Sequence, residues 1–227
     1  MSKFTKIKID FEQILNLNQI KNIFNINLNI FIRTILLTFS FLWFTYLGTQ
    51  IGEDYVAANA ILINLVFLSA FILDAYAFST EGIVGYSLGK KDLNLFKNIV
   101  KNSFILSSLS GLIISIIYFF VYEHVINLMS DLEEIRKLSS SYVIWLIILP
   151  LISSFCYQFD GIFIGASQTK ELRNAMVFSV MSYLIISIVL TKLLFNNGIW
   201  ISLCIFMILR AFSLFYYLNK IYLRFKS

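Results

Sequence analysis

Six stretches without a charged residue, each 17 to 22 residues long, constrain this chain more than any other feature of its sequence. A helix needs roughly 20 apolar residues to cross about 30 Å of hydrocarbon, and backbone in lipid must satisfy its hydrogen bonds within its own segment. The stretches are continuously apolar and lack the period-two alternation of barrel strands. We therefore predict an all-α integral membrane protein, a bundle of six transmembrane helices. The stretches are Thr34–Gly52, Tyr55–Leu73, Asn102–Tyr122, Leu138–Phe159, Asn174–Thr191 and Leu193–Leu209.

The composition supports this assignment and argues against enzyme chemistry. Hydrophobic residues make up 59% of the chain and charged residues 14%, whereas soluble domains have about 45–50% and 25%. The chain has one histidine, His124, and its two cysteines, Cys156 and Cys204, lie inside apolar runs. No zinc-protease, nucleophile-elbow or Walker motif occurs. We predict no catalytic residue, no metal site and no cofactor other than a coupling ion.

The distribution of basic residues predicts the orientation of the helices. Fourteen lysines and arginines lie before the first span, around the second and fourth loops, and after the last span. These are Lys3, Lys6, Lys8, Lys21, Arg33, Lys90, Lys91, Lys97, Lys101, Lys170, Arg173, Lys220, Arg224 and Lys226. By the positive-inside rule, both termini are cytoplasmic (N-in/C-in). The basic pI of 9.1 therefore reflects contact with membrane lipid, and no nucleic-acid partner is needed to explain it.

The chain divides into three segments on this basis. Residues 1–28 form a cytoplasmic leader, either an amphipathic helix on the inner leaflet or a tether to the first span. Residues 29–222 form the six-helix lobe, and residues 223–227 a basic cytoplasmic tail.

Four ionisable residues lie within or beside the apolar stretches, where each is costly unless it is paired or hydrated. Glu81, Asp160 and Arg210 each lie nine or ten residues from the inner basic residues, about 14–15 Å along a helix. Asp74, two helical turns before Glu81, is expected further out at roughly 24 Å. We predict a polar layer shared by the second, fourth and sixth spans.

Two interpretations of this layer stay open. One is a structural ion pair between Arg210 and either Asp160 or Glu81. The other is a water-accessible site where Asp74, Glu81 and Asp160 exchange H⁺ or Na⁺ during transport, with Arg210 as the counter-charge. Three carboxylates against one arginine leave negative charge, which favours a protonated or cation-bound group.

Further polar residues in the spans are candidates for a cavity lining. Asn59, Asn64 and Gln158 either line a cavity or form hydrogen bonds between helices. Pro150, the only proline, lies in the fourth span, where the missing backbone donor predicts a kink.

Several sequence blocks resemble the DinF-like branch of the MATE (multidrug and toxic compound extrusion) transporters. The blocks are 29–34 (NIFIRT), 57–64 (AANAILIN), 73–78 (LDAYAF), 81–89 (EGIVGYSLG) and 160–169 (DGIFIGASQT). The resemblance implies a multi-pass antiporter of the bacterial inner membrane that exports organic, often cationic, compounds in exchange for H⁺ or Na⁺. In that family two six-helix lobes enclose a cavity, and this chain corresponds to the second lobe. Asp74, Glu81 and Asp160 fall at family-pattern positions.

A single lobe of such a transporter would expose its cavity face to lipid. We therefore expect a partner, either a complementary N-terminal lobe or a second copy of this chain. A truncated or scaffold fragment without independent transport is the alternative of a different class. A lipid-intermediate flippase is a third possibility that the shared architecture allows.

Overall fold

The computed structural model describes residues 17–225, and every regular element in this range is a helix. The helices are α1 Leu17–Thr49, α2 Glu53–Gly89, α3 Leu93–Met129, α4 Glu133–Ser141, α5 Val143–Gly165, α6 Thr169–Leu194 and α7 Asn196–Leu223. All but α4 are long and apolar enough to cross a membrane. The predicted all-α fold with six spanning helices is confirmed.

The helices are longer than the charge-free stretches that predicted them. α2 and α3 each contain 37 residues, which corresponds to about 55 Å at 1.5 Å per residue. Hydrocarbon is only about 30 Å thick. Their ends therefore extend beyond it and carry the charged residues that had marked the predicted boundaries.

The predicted boundary between leader and lobe is not a helix boundary. α1 begins at Leu17 and continues without a break past residue 28 to Thr49, so residues 17–28 belong to the same helix as the first span. The division of the chain into leader, lobe and tail stays a prediction. The first 16 residues of the predicted leader lie outside the described residues. At the other end α7 finishes at Leu223, and residues 226–227 of the predicted tail are likewise not described.

α4 was not predicted as a helix. It begins in the loop before the fourth predicted span and includes the first four residues predicted for that span, and its Ile135 and Ser139 are buried against the end of the bundle. Its nine residues contain four charges, which is why a search for apolar runs passes over it.

Glycines allow α2 and α5 to pack closely. A Cβ atom at Gly161 would lie 2.9 Å from the Cα of Ala77, and one at Gly165 would lie 2.9 Å from the Cα of Glu81. A repeat of small residues four apart lets two helix backbones approach in this way. The contacts pair the two parallel helices in one register, with Ala77 level with Gly161.

The inner ends of α2 and α5 terminate in the same way. Asp92 N–H donates to Ser87 O at 3.0 Å, and Gln168 N–H donates to Phe163 O at 2.9 Å. The preceding residue of each turn is left-handed and is not glycine, with φ of 53° at Lys91 and 54° at Ser167. Both turns are Schellman motifs, which satisfy the last carbonyls of the helix.

Candidate functional site

A buried charge cluster joins three helices in the middle of the bundle. Asp160 of α5 is 4% exposed and Arg210 of α7 is 1% exposed. Arg210 Nη2 donates to Asp160 Oδ2 at 2.5 Å, and Arg33 Nη2 of α1 donates to the same oxygen. The cluster lies between two apolar cores, one containing Tyr157 and Met207 and the other containing residues that follow Asp160 and Arg210.

Local packing holds the two arginines in place. Arg210 Nη1 is 3.6 Å from Met207 Sδ, and its guanidinium carbon is 5.7 Å from the centre of the Phe206 ring. Arg33 lies one helical turn after Asn29, whose side chain accepts from Arg173 Nη1 of α6 at 2.9 Å. Because α1 is tied to α6 at this point, the Arg33 side chain is directed towards α5.

Three buried polar atoms of the cluster lack a hydrogen-bond partner among the described residues. They are Asp160 Oδ1 and the Nε atoms of Arg33 and Arg210. Leaving a buried donor or acceptor unsatisfied costs about 1–3 kcal/mol. One acceptor and two donors in one cluster indicate a site that a small polar ligand or water would complete.

Asp74 is the second carboxylate of this cluster. It is half-buried on α2 and interacts electrostatically with Asp160, Arg33 and Arg210. Its carboxylate makes no hydrogen bond or ion pair within residues 17–225. With both aspartates ionised the two arginines balance them, so the excess negative charge expected from one arginine is absent.

Glu81 is not level with Asp160, although the counts from the inner basic residues predict one layer for both. The close contacts put Gly165 against the Glu81 backbone, and Asp160 is then level with residue 76. By the helix rise, Asp74 is offset from Asp160 by about 3 Å and Glu81 by about 7.5 Å. The half-buried Glu81 lies towards the inner end of α2.

Asn59 belongs to a separate buried network near the outer end. Its side chain exchanges two hydrogen bonds with Asn196, at 2.6 and 3.0 Å, and accepts from Trp200 Nε1 at 2.9 Å. Outside the spans, burial raises the pKa of Tyr142, and Tyr55 raises it further, while its hydrogen bond with Asn196 lowers it. The network links α2 to the start of α7, so Asn59 forms hydrogen bonds between helices.

The other two predicted cavity residues differ from one another. Gln158 is fully buried, and Thr80 Oγ1 donates to its Oε1 at 3.0 Å. It lies two residues before Asp160 on α5, about 200° around the helix, and its buried Nε2 has no hydrogen-bond partner among the described residues. Asn64 is exposed on α2, apart from the cluster.

Pro150 lies within α5, which is helical from Val143 to Gly165. Its carbonyl lies against Gly111 of α3, where a Cβ atom would come within 2.8 Å of the Pro150 oxygen. The proline segment is therefore packed against a neighbouring helix. The kink stays a prediction.

Arg33 is the residue of the cluster that the sequence reasoning missed. It was counted with the basic residues before the first span, because the search for charge-free stretches ended at it. A signal was present: Arg33 is 12 residues beyond Lys21, about 18 Å along a helix, and apolar residues stand on both sides of it. The depth count that located Arg210 applies equally to Arg33.

The fold and this cluster define a polytopic membrane protein with charged groups buried inside its helix bundle. The family model MatE matches residues 30–193. The chain is 33% identical over 189 residues to the "DNA damage-inducible protein F" of Escherichia coli K12, covering 83% of this chain and 41% of that protein. The chain belongs to the MatE family.

Solved structures share the fold. A structure described as MATE in complex with MaL6 superposes with a TM-score of 0.83 at 13% identity, covering 93% of this chain and 49% of that one. The MATE transporter VcmN of Vibrio cholerae in its bent form gives a TM-score of 0.80 at 17% identity, covering 92% and 48%. The chain thus spans about half the length of the proteins it matches.

Proposed function

We propose that this chain is one lobe of a multidrug efflux antiporter of the bacterial inner membrane, coupled to H⁺ or Na⁺. The observation that carries the proposal is the cluster of Arg33, Asp160 and Arg210 with Asp74 beside it. Ionisable residues at mid-depth of a membrane bundle are rare and mark ion or substrate pathways. Family membership supports the same assignment.

Within the cluster, the two aspartates have different roles. Asp160 receives both arginines on one oxygen, so protonating it would leave Arg33 and Arg210 without an ion-pair partner in residues 17–225. Asp74 makes no ion pair in residues 17–225 and is half-buried. We therefore assign binding of the exchanged ion to Asp74, while Asp160 keeps the arginines in position.

The charge balance explains how ion and substrate would compete. With Asp74 ionised the four groups sum to zero, and a bound organic cation can use the Asp74 carboxylate as its counter-charge. When H⁺ or Na⁺ binds Asp74 the cluster becomes net positive, which disfavours the organic cation by like-charge repulsion. Ion entry from outside therefore promotes substrate release.

A complementary lobe completes this arrangement. Asp74 and Glu81 are half-buried and Asn64 is exposed on α2, at depths where polar groups facing lipid are costly. A second lobe, or a second copy of this chain, would cover this face and enclose water. Alternating access would then move one lobe against the other around the site.

The test is efflux of a fluorescent organic cation from cells that produce this chain with a candidate N-terminal lobe, at acidic and at neutral external pH. We expect Asp74→Asn to abolish the pH-dependent efflux, and Asp131→Asn, a matched change in an exposed loop, to leave it intact. Unchanged efflux by the Asp74 variant would overturn the assignment of the ion site. A lipid-scrambling assay on the same preparations addresses the flippase alternative, which predicts scrambling in place of cation efflux.

A further inference from the structure

An apolar groove runs along the surface between α3, α5 and α7. α5 forms its floor with Leu151, Phe155 and Phe159, while Phe104 of α3 and Phe215 of α7 belong to its walls. Its volume is about 690 Å³, within the 300–1,000 Å³ range of ligand sites in proteins. The groove exists because α3 and α7 both pack against α5 and largely leave each other free.

The part of the groove between α3 and α7 has the depth of one leaflet. Its lining on α7 extends from Ile208 to Leu218, about 15 Å by the helix rise and half of a hydrocarbon layer about 30 Å thick. Ile208 is beside mid-depth Arg210, and Leu218 is two residues before the inner-side Lys220, so this part lies in the inner half of the membrane. The floor on α5 precedes Asp160 in the chain, so the groove continues past mid-depth into the outer half.

Aromatic rings close the inner end of the groove. The Phe96 ring centre is 5.3 Å from that of Tyr222 and 5.0 Å from that of Phe225. This contact joins α3 to α7 just below the groove. A hydrocarbon chain bound in the groove would therefore have to leave it sideways, towards the lipid headgroups.

Two lysines flank the exit. Lys97 and Lys101 precede Phe104 by seven and three residues, so the three side chains share one face of α3. Both lysines are exposed, and neither makes an ion pair in the described part of the chain. By contrast, Lys220 on α7 donates to Glu171 Oε1 at 2.9 Å. Since the inner end of α3 extends beyond the hydrocarbon, both ammonium groups reach the level of lipid phosphates.

We propose that the groove binds an anionic phospholipid of the inner leaflet, with an acyl chain between α3 and α7 and the phosphate held by Lys97 and Lys101. The apolar lining on α7 matches a hydrocarbon chain of one leaflet's length, and the lysines select for negative headgroups. Each basic residue near an anionic membrane surface strengthens binding roughly fivefold. This site is on different helix faces from the charge cluster and does not depend on the transport proposal.

The experiment uses the full chain, reconstituted in vesicles of equal parts phosphatidylglycerol and phosphatidylcholine and analysed by native mass spectrometry. We expect one phosphatidylglycerol to be retained in preference to phosphatidylcholine. Replacing Lys97 and Lys101 by Gln together should lower this preference by roughly 25-fold. The matched control replaces Lys90 and Lys91 by Gln, which removes the same charge at the end of α2 and should leave the preference unchanged.

A second pair of variants tests the acyl-chain part of the site. Ala211 lies in the groove, so Ala211→Phe should fill it and release the retained lipid, whereas Val189→Phe, on the exposed face of α6, should not. Equal retention of the two lipids by the unmodified chain would overturn the proposal. So would an equal effect of the two lysine pairs, or a lipid-free dimer, which would identify a second copy as the occupant. The lysine pair keeps the test valid if Ala211→Phe does not fold.

Discussion

Removing the carboxylate that both arginines share should destabilise the bundle severely. Asp160→Asn keeps the size of the side chain but leaves Arg210, 1% exposed, and Arg33 without their ionic partner. Breaking a buried ion pair by removing one member costs about 3–5 kcal/mol, because the remaining charge is buried and uncompensated. We expect the loss of stability to lie in that range, since Asp74, which interacts electrostatically with both arginines, forms no ion pair with either of them.

Replacing Arg210 should destabilise the bundle less than replacing Asp160. Arg210→Met removes one of two donors to Asp160 Oδ2, and Arg33 still neutralises the carboxylate. We therefore expect the free energy of unfolding to fall by about 1–3 kcal/mol. The double variant combines Asp160→Asn with Arg210→Met. Of the two arginines it keeps Arg33, whose side chain is 15% exposed and therefore has access to the surface. The double variant should therefore lose less than the sum of the single losses, by about 1 kcal/mol or more.

The assay is reversible unfolding of the purified chain in mixed micelles, followed by circular dichroism. Asp131→Asn is the control, because this exposed carboxylate is 3.6 Å from Arg136 in a loop and should have no measurable effect. The reasoning would be refuted if Asp160→Asn lowered the free energy of unfolding by less than about 1 kcal/mol, because the cluster would then be hydrated in this chain. It would also be refuted if the losses of the two single variants added up to the loss of the double variant.

Three further substitutions, the first with a matched glycine control, test helix packing, a left-handed helix end and a buried hydrogen-bond network. Gly161→Ala should destabilise the bundle by about 1–3 kcal/mol, because its Cβ would overlap the α2 backbone, whereas Gly82→Ala, with open space around it, should be neutral or slightly stabilising in the same unfolding assay. Ser167→Gly should stabilise by roughly 1 kcal/mol, because the residue is left-handed; a loss of stability would contradict this. Asn59→Ala should cost about 1–3 kcal/mol by leaving Asn196 and a buried indole N–H unsatisfied, and tryptophan fluorescence should report the change in that indole's surroundings.

The spanning helices were predictable because hydrocarbon imposes a length and an apolar composition on every segment that crosses it. Their true ends were not, since a helix continues into water at little cost and charges there carry no penalty. α1 illustrates this: Lys21 and Arg33 lie on one continuous helix, and a rule that stops at charges assigned both to the segment before the span.

The composition of the charge cluster was only partly predictable. Asp160 and Arg210 were found because an ionisable side chain interrupts an apolar run. Which acid accompanies them depends on how α2 and α5 align, and that alignment is determined by backbone contacts at Gly161 and Gly165. Counting residues from the inner basic side chains contains no information about such contacts, so Glu81 was placed where Asp74 belongs.

A single carboxylate oxygen of Asp160 connects the first, fifth and seventh helices at mid-depth. Any motion that slid one of these helices past another would break a charge-assisted bond in a medium that offers no replacement partner. The lobe should consequently tilt and rotate as one rigid block. In the proposed transporter, the energy barrier of the cycle would then arise at the surface where this block meets the complementary lobe, and substitutions on that surface would change rates without changing the stability of the bundle.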